Sequence, residues 1–384
     1  MIYQKQEIIN YKLQETANDL YNQQMIDKTV YENILSKFPH NLYSPTLFLR
    51  FVGIVITLIG SLFAGGFIGL LLSFSNYRVM TLFNGVLSVF VLEVGVKNNK
   101  LYNSGTDNVL QLIAVSCFTA FLIANLISPG FNAITYFIMM LLCTLCSYRY
   151  IDSFMGVLAN LSAVAFIVFI CFEYGNTGKM NAPFIVTLFS VSEYYILKKI
   201  LTKNNIFIYK KILLNLSTLS LLLIYCSLNY YVVCELNNMI NNTQNTTIPF
   251  GVLFWLATFI IPVLYIYRSI VLNNKSLLLT GIGCLVASFI SFRYYHSVLP
   301  TEWALFIVGL LLILLGYWLI KYLQETKNGF TSQNIYQQTN NNTMLEAMVA
   351  AQVAASIDAS FDKSQNGTQF GGGSSGGGGA SGGF

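Results

Sequence analysis

From Met1 onward, polar stretches alternate with apolar blocks of one recurrent length. Polar residues of mixed charge fill positions 1–46, and long uncharged runs follow. Between Lys211 and Glu235 lie 23 uncharged residues, Ile248–Tyr267 gives 20, Asp152 and Glu173 bracket 20, and Trp303–Ile320 adds 18. A hydrocarbon core of roughly 30 Å takes about 20 helical residues to cross. Backbone exposed to lipid must satisfy its own hydrogen bonds, so blocks of this length are helices. Residues 108–148 carry no charge over 41 positions, about twice one crossing. "SPGFN" at Ser128–Asn132 interrupts them with helix-breaking residues, which predicts a hairpin of two spans.

Eight spans stand out: near 50–74, 108–127, 131–148, 153–172, 211–234, 249–267, 276–293 and 303–321. Two weaker blocks, 79–97 and 180–198, are interrupted by Glu93 and Glu193, which leave charge-free parts of only 14 and 13 residues. Basic residues beside the spans decide between the counts. With ten spans and the N-terminus in the cytoplasm, fourteen Lys and Arg flank the inner side, and three (Arg78, Lys179 and Arg293) the outer. Without the two weak spans the division is twelve against five. The expectation is therefore an all-α, polytopic helix bundle of about ten spans, with both termini cytoplasmic and eight spans as the alternative.

Composition agrees: 55% of residues are hydrophobic and only 10% charged, against about 25% charged in a soluble domain. The polar start implies a retained internal anchor rather than a cleaved signal peptide. The reading is a multi-pass protein of the cell (inner) membrane, with the lipid bilayer as its surroundings. The net charge of +5 reflects lysines beside the membrane and does not call for a nucleic acid partner.

The N-terminal 46 residues predict a cytosolic helical hairpin. Ile8, Ile9, Leu13, Ala17, Leu20 and Tyr21 recur at helical spacing; Asp27 then caps a second helix whose apolar face is Val30, Ile34 and Leu35. Beyond the last span, 324–370 is a polar cytosolic segment with one short amphipathic helix, Thr343–Ile357. Residues 371–384 hold nine glycines and read as disordered. The hairpin and the Gly-rich tail are the candidate contacts for a protein partner.

Candidate chemistry is sparse. Glu93 and Glu193 sit about one turn inside the inner boundary, with Arg50 at similar depth and Lys97 and Lys198 close in sequence. Ionisable groups in a membrane are costly and often functional. These five residues form a candidate intramembrane polar cluster, a cation- or proton-binding cavity. The plainer alternative is glutamates paired with Lys97, Lys198 or Arg50 as anchors near the headgroups. A second, outer-face cluster gathers Glu173, Arg293, His296 and Glu302, residue types suited to acid–base chemistry or to a lipid headgroup, and equally ordinary at an interface. "CTLC" at Cys143–Cys146 has neither a second Cys pair nor a nearby His, so no metal or cofactor is expected. "GSLFAGGFIG" at Gly60–Gly69 lacks the phosphate-loop Lys and offers small-xxx-small spacing for helix packing. Pro262 predicts a kink in its span.

The segments "YNQQMIDKTVYENILSKFP", "LYNSGTDNVL", "SYRYIDSFMGVLANLS" and "RYYHSVLPTEWAL" together resemble uncharacterised bacterial multi-pass membrane proteins that carry a domain of unknown function. The tail "QFGGGSSGGGGASGGF" is similar to the Gly-rich ends of TPM-domain and LemA-type membrane proteins. The chain has no globular TPM domain, so that likeness implies no activity. Three function classes remain: a non-enzymatic assembly or regulatory component, which leads; a small-solute or ion transporter using Glu93 and Glu193; and a membrane-embedded transferase using Arg293, His296 and Glu302.

The topology is directly testable. A reporter inserted at Lys203 is expected on the same side of the membrane as one at Met1, and one at Lys179 on the opposite side. Paired phosphatase and fluorescent-protein fusions read this out.

Overall fold

The computed structural model describes residues 1–22, 26–71, 76–126, 133–203, 206–241, 248–272 and 274–295, with isolated positions between 306 and 321. Every element in it is a helix: α1 (Lys5–Asn22), α2 (Lys28–Lys37), α3 (Leu47–Leu71), α4 (Tyr77–Asn99), α5 (Thr106–Leu126), α6 (Ala133–Tyr150), α7 (Ser153–Glu173), α8 (Gly175–Leu201), α9 (Lys210–Leu228), α10 (Tyr230–Asn241), α11 (Gly251–Leu272) and α12 (Lys275–Tyr295). Among the described residues, eight helices are long and apolar enough to cross a membrane: α3, α4, α5, α6, α7, α9, α11 and α12. This is a multi-pass membrane protein. Most of the predicted 303–321 block, "SPGFN" and both C-terminal segments lie outside the described residues.

Antiparallel neighbours pack as pairs: α4 on α5, α6 on α7, α8 on α9 and α11 on α12. α7 also packs against α8 and α9, which makes those three helices a continuous layer. α3 lies at the edge, with Leu47, Phe48, Phe63 and Leu70 all more than 70% exposed, as a lipid-facing surface requires.

α8 falls outside the set of eight because Glu193 and the polar residues Asn181, Thr187, Ser190 and Ser192 lower its hydropathy. It is nevertheless 27 residues long, roughly 40 Å. The first turn of α7 and the first turns of α9 line the same cavity, so α8 returns the chain from the far end of α7 to that face.

The predicted span 211–234 needs correction. α9 stops at Leu228, Asn229 is extended, and the separate helix α10 follows. The break is held by a buried polar network. Asn229 Nδ2 donates to Tyr225 Oη (2.8 Å) and Ser291 Oγ (3.1 Å), and Asn229 Oδ1 accepts from Val232 N (3.2 Å). Tyr225 Oη meets Ser288 Oγ at 2.9 Å, and Ser288 donates to the Thr258 carbonyl. Thr258 Oγ1 accepts from Tyr230 N (3.0 Å), the first amide of α10. The amides exposed at the start of α10 in a water-poor environment are thus met by Thr258 of α11 and by the Asn229 side chain, which Ser291 of α12 holds in place.

The N-terminal hairpin packs on the membrane domain. Ile8, Ile9 and Leu13 of α1 are buried together with Leu92 and Val96 of α4, Tyr102, Leu110 of α5, Ile151, and Ile212 of α9. Ala17, Leu20, Val30 and Ile34 close α1 on α2. Asp27 precedes α2 in extended conformation but makes no side-chain cap bond. Polar ties complete the docking: Tyr3 Oη to the Leu101 carbonyl (2.9 Å), Ile2 N to the Arg149 carbonyl (3.1 Å), and Lys211 to Glu15 (3.1 Å).

The small-residue run of α3 is used only in part. A Cβ on Gly65 would lie 2.6 Å from Asn84 Oδ1 of α4, whereas one on Gly60 meets nothing within 4 Å. Gly65→Val is therefore expected to lower stability by about 1–3 kcal/mol through overpacking, and Gly60→Val to leave it nearly unchanged. Unfolding midpoints of the purified variants in one detergent check this.

Candidate functional site

Three polar features lie in or beside the bilayer region. The first is a cavity of about 250 Å³ beneath α1. Lys12, Arg50, Tyr102, Asn103, Asp107, Asn108, Tyr150, Asp152, Lys211 and Asn215 supply its polar walls. Local sequence explains the convergence. In "NSGTDN", Asp107 reaches back to accept from Asn103 N (2.7 Å), Ser104 N (2.8 Å) and Ser104 Oγ (3.0 Å). Gly105, at φ +90°, is compatible with this turn, and a side chain there would collide with the Arg50 carbonyl. In "YIDSF", Asp152 is the N-cap of α7, accepting from Phe154 N (2.7 Å), and its other oxygen accepts from Asn108 Nδ2 (2.7 Å). Ile151 beside it has φ +56°, a costly conformation for a β-branched residue. Lys12 is buried and donates to the carbonyls of Phe207 (3.5 Å) and Ile208, just before α9.

Burial sets the ionisation here. The Lys12 ammonium is pushed down to about 8, chiefly by desolvation, with Lys211 adding repulsion and Glu15 opposing it. Desolvation also raises the Asp152 carboxyl to about 6, against the pull of its hydrogen-bond donors.

The second feature is Glu93 on α4. Its Oε1 accepts from Arg149 Nε (2.8 Å), Arg149 Nη2 (2.6 Å) and Tyr150 Oη (2.7 Å). This corrects the expected pairing with Lys97, which is exposed and forms no ion pair with any described residue. Arg50 does not reach Glu93 either; it lines the cavity under α1.

The third feature is Glu193 on α8. Its Oε1 accepts from Asn160 Nδ2 of α7. Glu193 thus bonds to an amide on the neighbouring helix, while Lys198 sits exposed in the last turn of α8. Ser190 lies one turn away on the same helix and is fully buried. Among the described residues, Glu193 Oε2, Asn160 Oδ1 and Ser190 Oγ meet no hydrogen-bond partner at bonding distance, although the Ser220 hydroxyl of α9 also stands close to the Glu193 carboxylate. α8 runs to Leu201, so Glu193 lies eight residues, roughly 12 Å, from the helix end, with Lys198 and Lys199 in the last turn. Toward the far face, α7, α8 and α9 border a cleft of about 680 Å³. Val164, Val168, Pro183, Val186 and Leu223 line it, with Lys179 and Asn237 among its polar residues. Ser190 lies one turn of α8 beyond Val186.

The five residues of the expected intramembrane cluster therefore divide among separate places. Glu93 and Glu193 share no partner, and α4 and α8 pack against different neighbours. Of the outer-face cluster, Glu173 is exposed at the end of α7 and Arg293 is in the last turn of α12, while His296 and Glu302 fall outside the described residues. Cys143 of "CTLC" is a buried core residue packed with Met155 and Val115. Among the described residues, no group of three or more His, Cys, Asp or Glu side chains could hold a metal.

The sequence reading missed Lys12, Asp107, Asp152, Asn160 and Ser190. A signal existed for the two aspartates: each stands at the start of an apolar block among Asn, Ser or Gly, the composition of a helix N-terminus.

Because the folded state raises the Asp152 carboxyl above its ordinary value near 3.8, it binds that proton more tightly than the unfolded chain. Its contribution is most favourable at or below that value and is lost as pH rises through about 6. Wild type is expected to lose stability over this window relative to Asp152→Asn, by up to roughly 3 kcal/mol. Unfolding of both proteins in detergent between pH 4 and 7 measures the difference.

Comparison with protein-family models, with curated proteins and with solved structures finds no match to this chain in any of the three.

Proposed function

We propose that the protein is a carrier of small solutes or ions, with its working site at the α7–α8–α9 interface and Glu193 as the ionisable group. One observation carries this reading. A carboxylate deep in a long helix, held through one oxygen by Asn160, faces two further helices with unsatisfied polar atoms around it. A half-buried carboxylate with no cation beside it is expensive in a membrane and is rarely retained for packing alone. The cleft on its far side falls within the usual volume range of ligand sites. The polar cavity under α1 lies at the starts of α7 and α9, two of these three helices. A polar belt between two openings is the arrangement alternating access requires.

In this reading ten spans cross the bilayer: the eight apolar helices, α8, and the 303–321 block. Both termini are cytoplasmic, since the basic residues gather on the α1 side. Glu93 is a structural anchor, because Arg149 and Tyr150 already satisfy it. The reading displaces an assembly role for the N-terminal hairpin, whose apolar residues are taken up by the membrane domain and by α1–α2 packing.

Purified protein in nanodiscs is expected to change its unfolding midpoint with pH or with added Na⁺. A cation present at a hundred times its dissociation constant stabilises by about 2.7 kcal/mol. Glu193→Gln should remove that response, whereas Glu93→Gln should lower the midpoint but keep the response. A flat wild-type profile across pH 5–9 with and without added Na⁺, or an unchanged response in Glu193→Gln, would overturn the reading.

A further inference from the structure

We infer that the cavity under α1 binds a phosphate-type oxyanion through Arg50, independently of any role for Glu193. Its walls carry three cations (Lys12, Arg50 and Lys211) and two carboxylates. The carboxylates are occupied: Asp107 takes three donors from residues 103 and 104, and Asp152 takes Phe154 N and Asn108 Nδ2. Two of the cations are occupied as well. Lys12 donates to the carbonyls of Phe207 and Ile208, and Lys211 pairs with Glu15.

Arg50 is different. Its backbone amide bonds to Thr46, but its guanidinium makes no hydrogen bond or ion pair with any described residue. Its Nε is sealed from solvent without an acceptor. Arg50 is only half-buried, but a sealed donor on a charged group is costly when left unmet, and the carboxylates of the same cavity are committed to their turns instead of meeting it. The guanidinium fork suits an oxyanion, which it can hold through two parallel bonds. The starts of α5 and α7 border the same space, and each already carries its own carboxylate, Asp107 and Asp152, which leaves Arg50 as the group open to an oxyanion. At about 250 Å³ the cavity holds a phosphate-sized group and a few waters, and is too small for a drug-sized ligand. The group can come from a soluble phosphate or from a lipid headgroup, because α3 begins with the lipid-facing Leu47 and Phe48 next to Arg50.

Unfolding of the full chain separates these sources. In nanodiscs of phosphatidylcholine alone, inorganic phosphate is compared with chloride at matched ionic strength. In a second arm without added phosphate, phosphatidylglycerol replaces part of the phosphatidylcholine. Stabilisation by phosphate that Arg50→Gln abolishes and Lys28→Gln keeps identifies a soluble oxyanion. Stabilisation by phosphatidylglycerol alone, with the same dependence on Arg50, identifies a headgroup. No response to either in wild type, or a response unchanged in Arg50→Gln, overturns the proposal. Should Arg50→Gln fail to assemble, Arg50→Lys decides: it keeps the charge, loses the fork, and is expected to weaken the response about tenfold or more. Equal affinity in that variant overturns the proposal too.

Discussion

Where water is scarce, a helix cannot end without finding partners for the backbone groups that its last turns leave open. Much of the polar architecture follows from that constraint. α5 and α7 begin close together beneath α1, and the side chains that serve their first turns and the preceding loop, Asp107, Asn108 and Asp152, form much of one cavity wall. The turn before α9 finishes the enclosure, with its carbonyls met by Lys12 from a helix nearly 200 residues earlier in the chain. α1 is therefore part of the membrane domain. Its apolar face covers the helix ends, and its one buried lysine answers carbonyls that water would otherwise serve.

The same constraint separates a structural polar cluster from one that invites a ligand. The network around Asn229 is buried as deeply as any group in the molecule, yet each of its main members has partners, down to the first amide of α10. Removing one member would leave buried donors unmet at about 1–3 kcal/mol each, which is reason enough for its presence. The Glu193 cluster lacks that closure. Among the described residues, nothing meets Asn160 Oδ1, Ser190 Oγ and Glu193 Oε2 in the interior of three packed helices. A fold gains nothing from three such atoms unless something else, an ion, a proton or water, meets them.

How much of this was legible beforehand depended on the range of the interaction. Helices set by local pattern were readable: the apolar blocks gave α3 to α7, α11 and α12 to within a few residues, and the spacing of Ile8, Ile9, Leu13 and Ala17 gave the buried face of α1. The end of α9 was not, because "CSLNYYVV" keeps its hydrophobicity across the break. Asn229 becomes a terminator only through serines some 60 residues away. The small-residue run of α3 was legible as a packing surface, but not that Gly65 would meet α4 while Gly60 would meet nothing. The anchor for Glu93 was sought at Lys97 by helical spacing, and a residue from α6 supplied it instead.

Glu93 and Glu193 make the point most sharply. Each interrupts an otherwise apolar block and is followed within five residues by lysine, so sequence gives them one description. Their neighbours give them two. α4 lies where α6 delivers a guanidinium and a phenol, so Glu93 is paired, and a carboxylate so paired has little left to offer a passing ion. α8 lies between α7 and α9, which supply an amide and serines to Glu193 but, among the described residues, no cation that pairs with it. In the carrier reading, a proton or a bound cation takes the place that Arg149 and Tyr150 fill for Glu93.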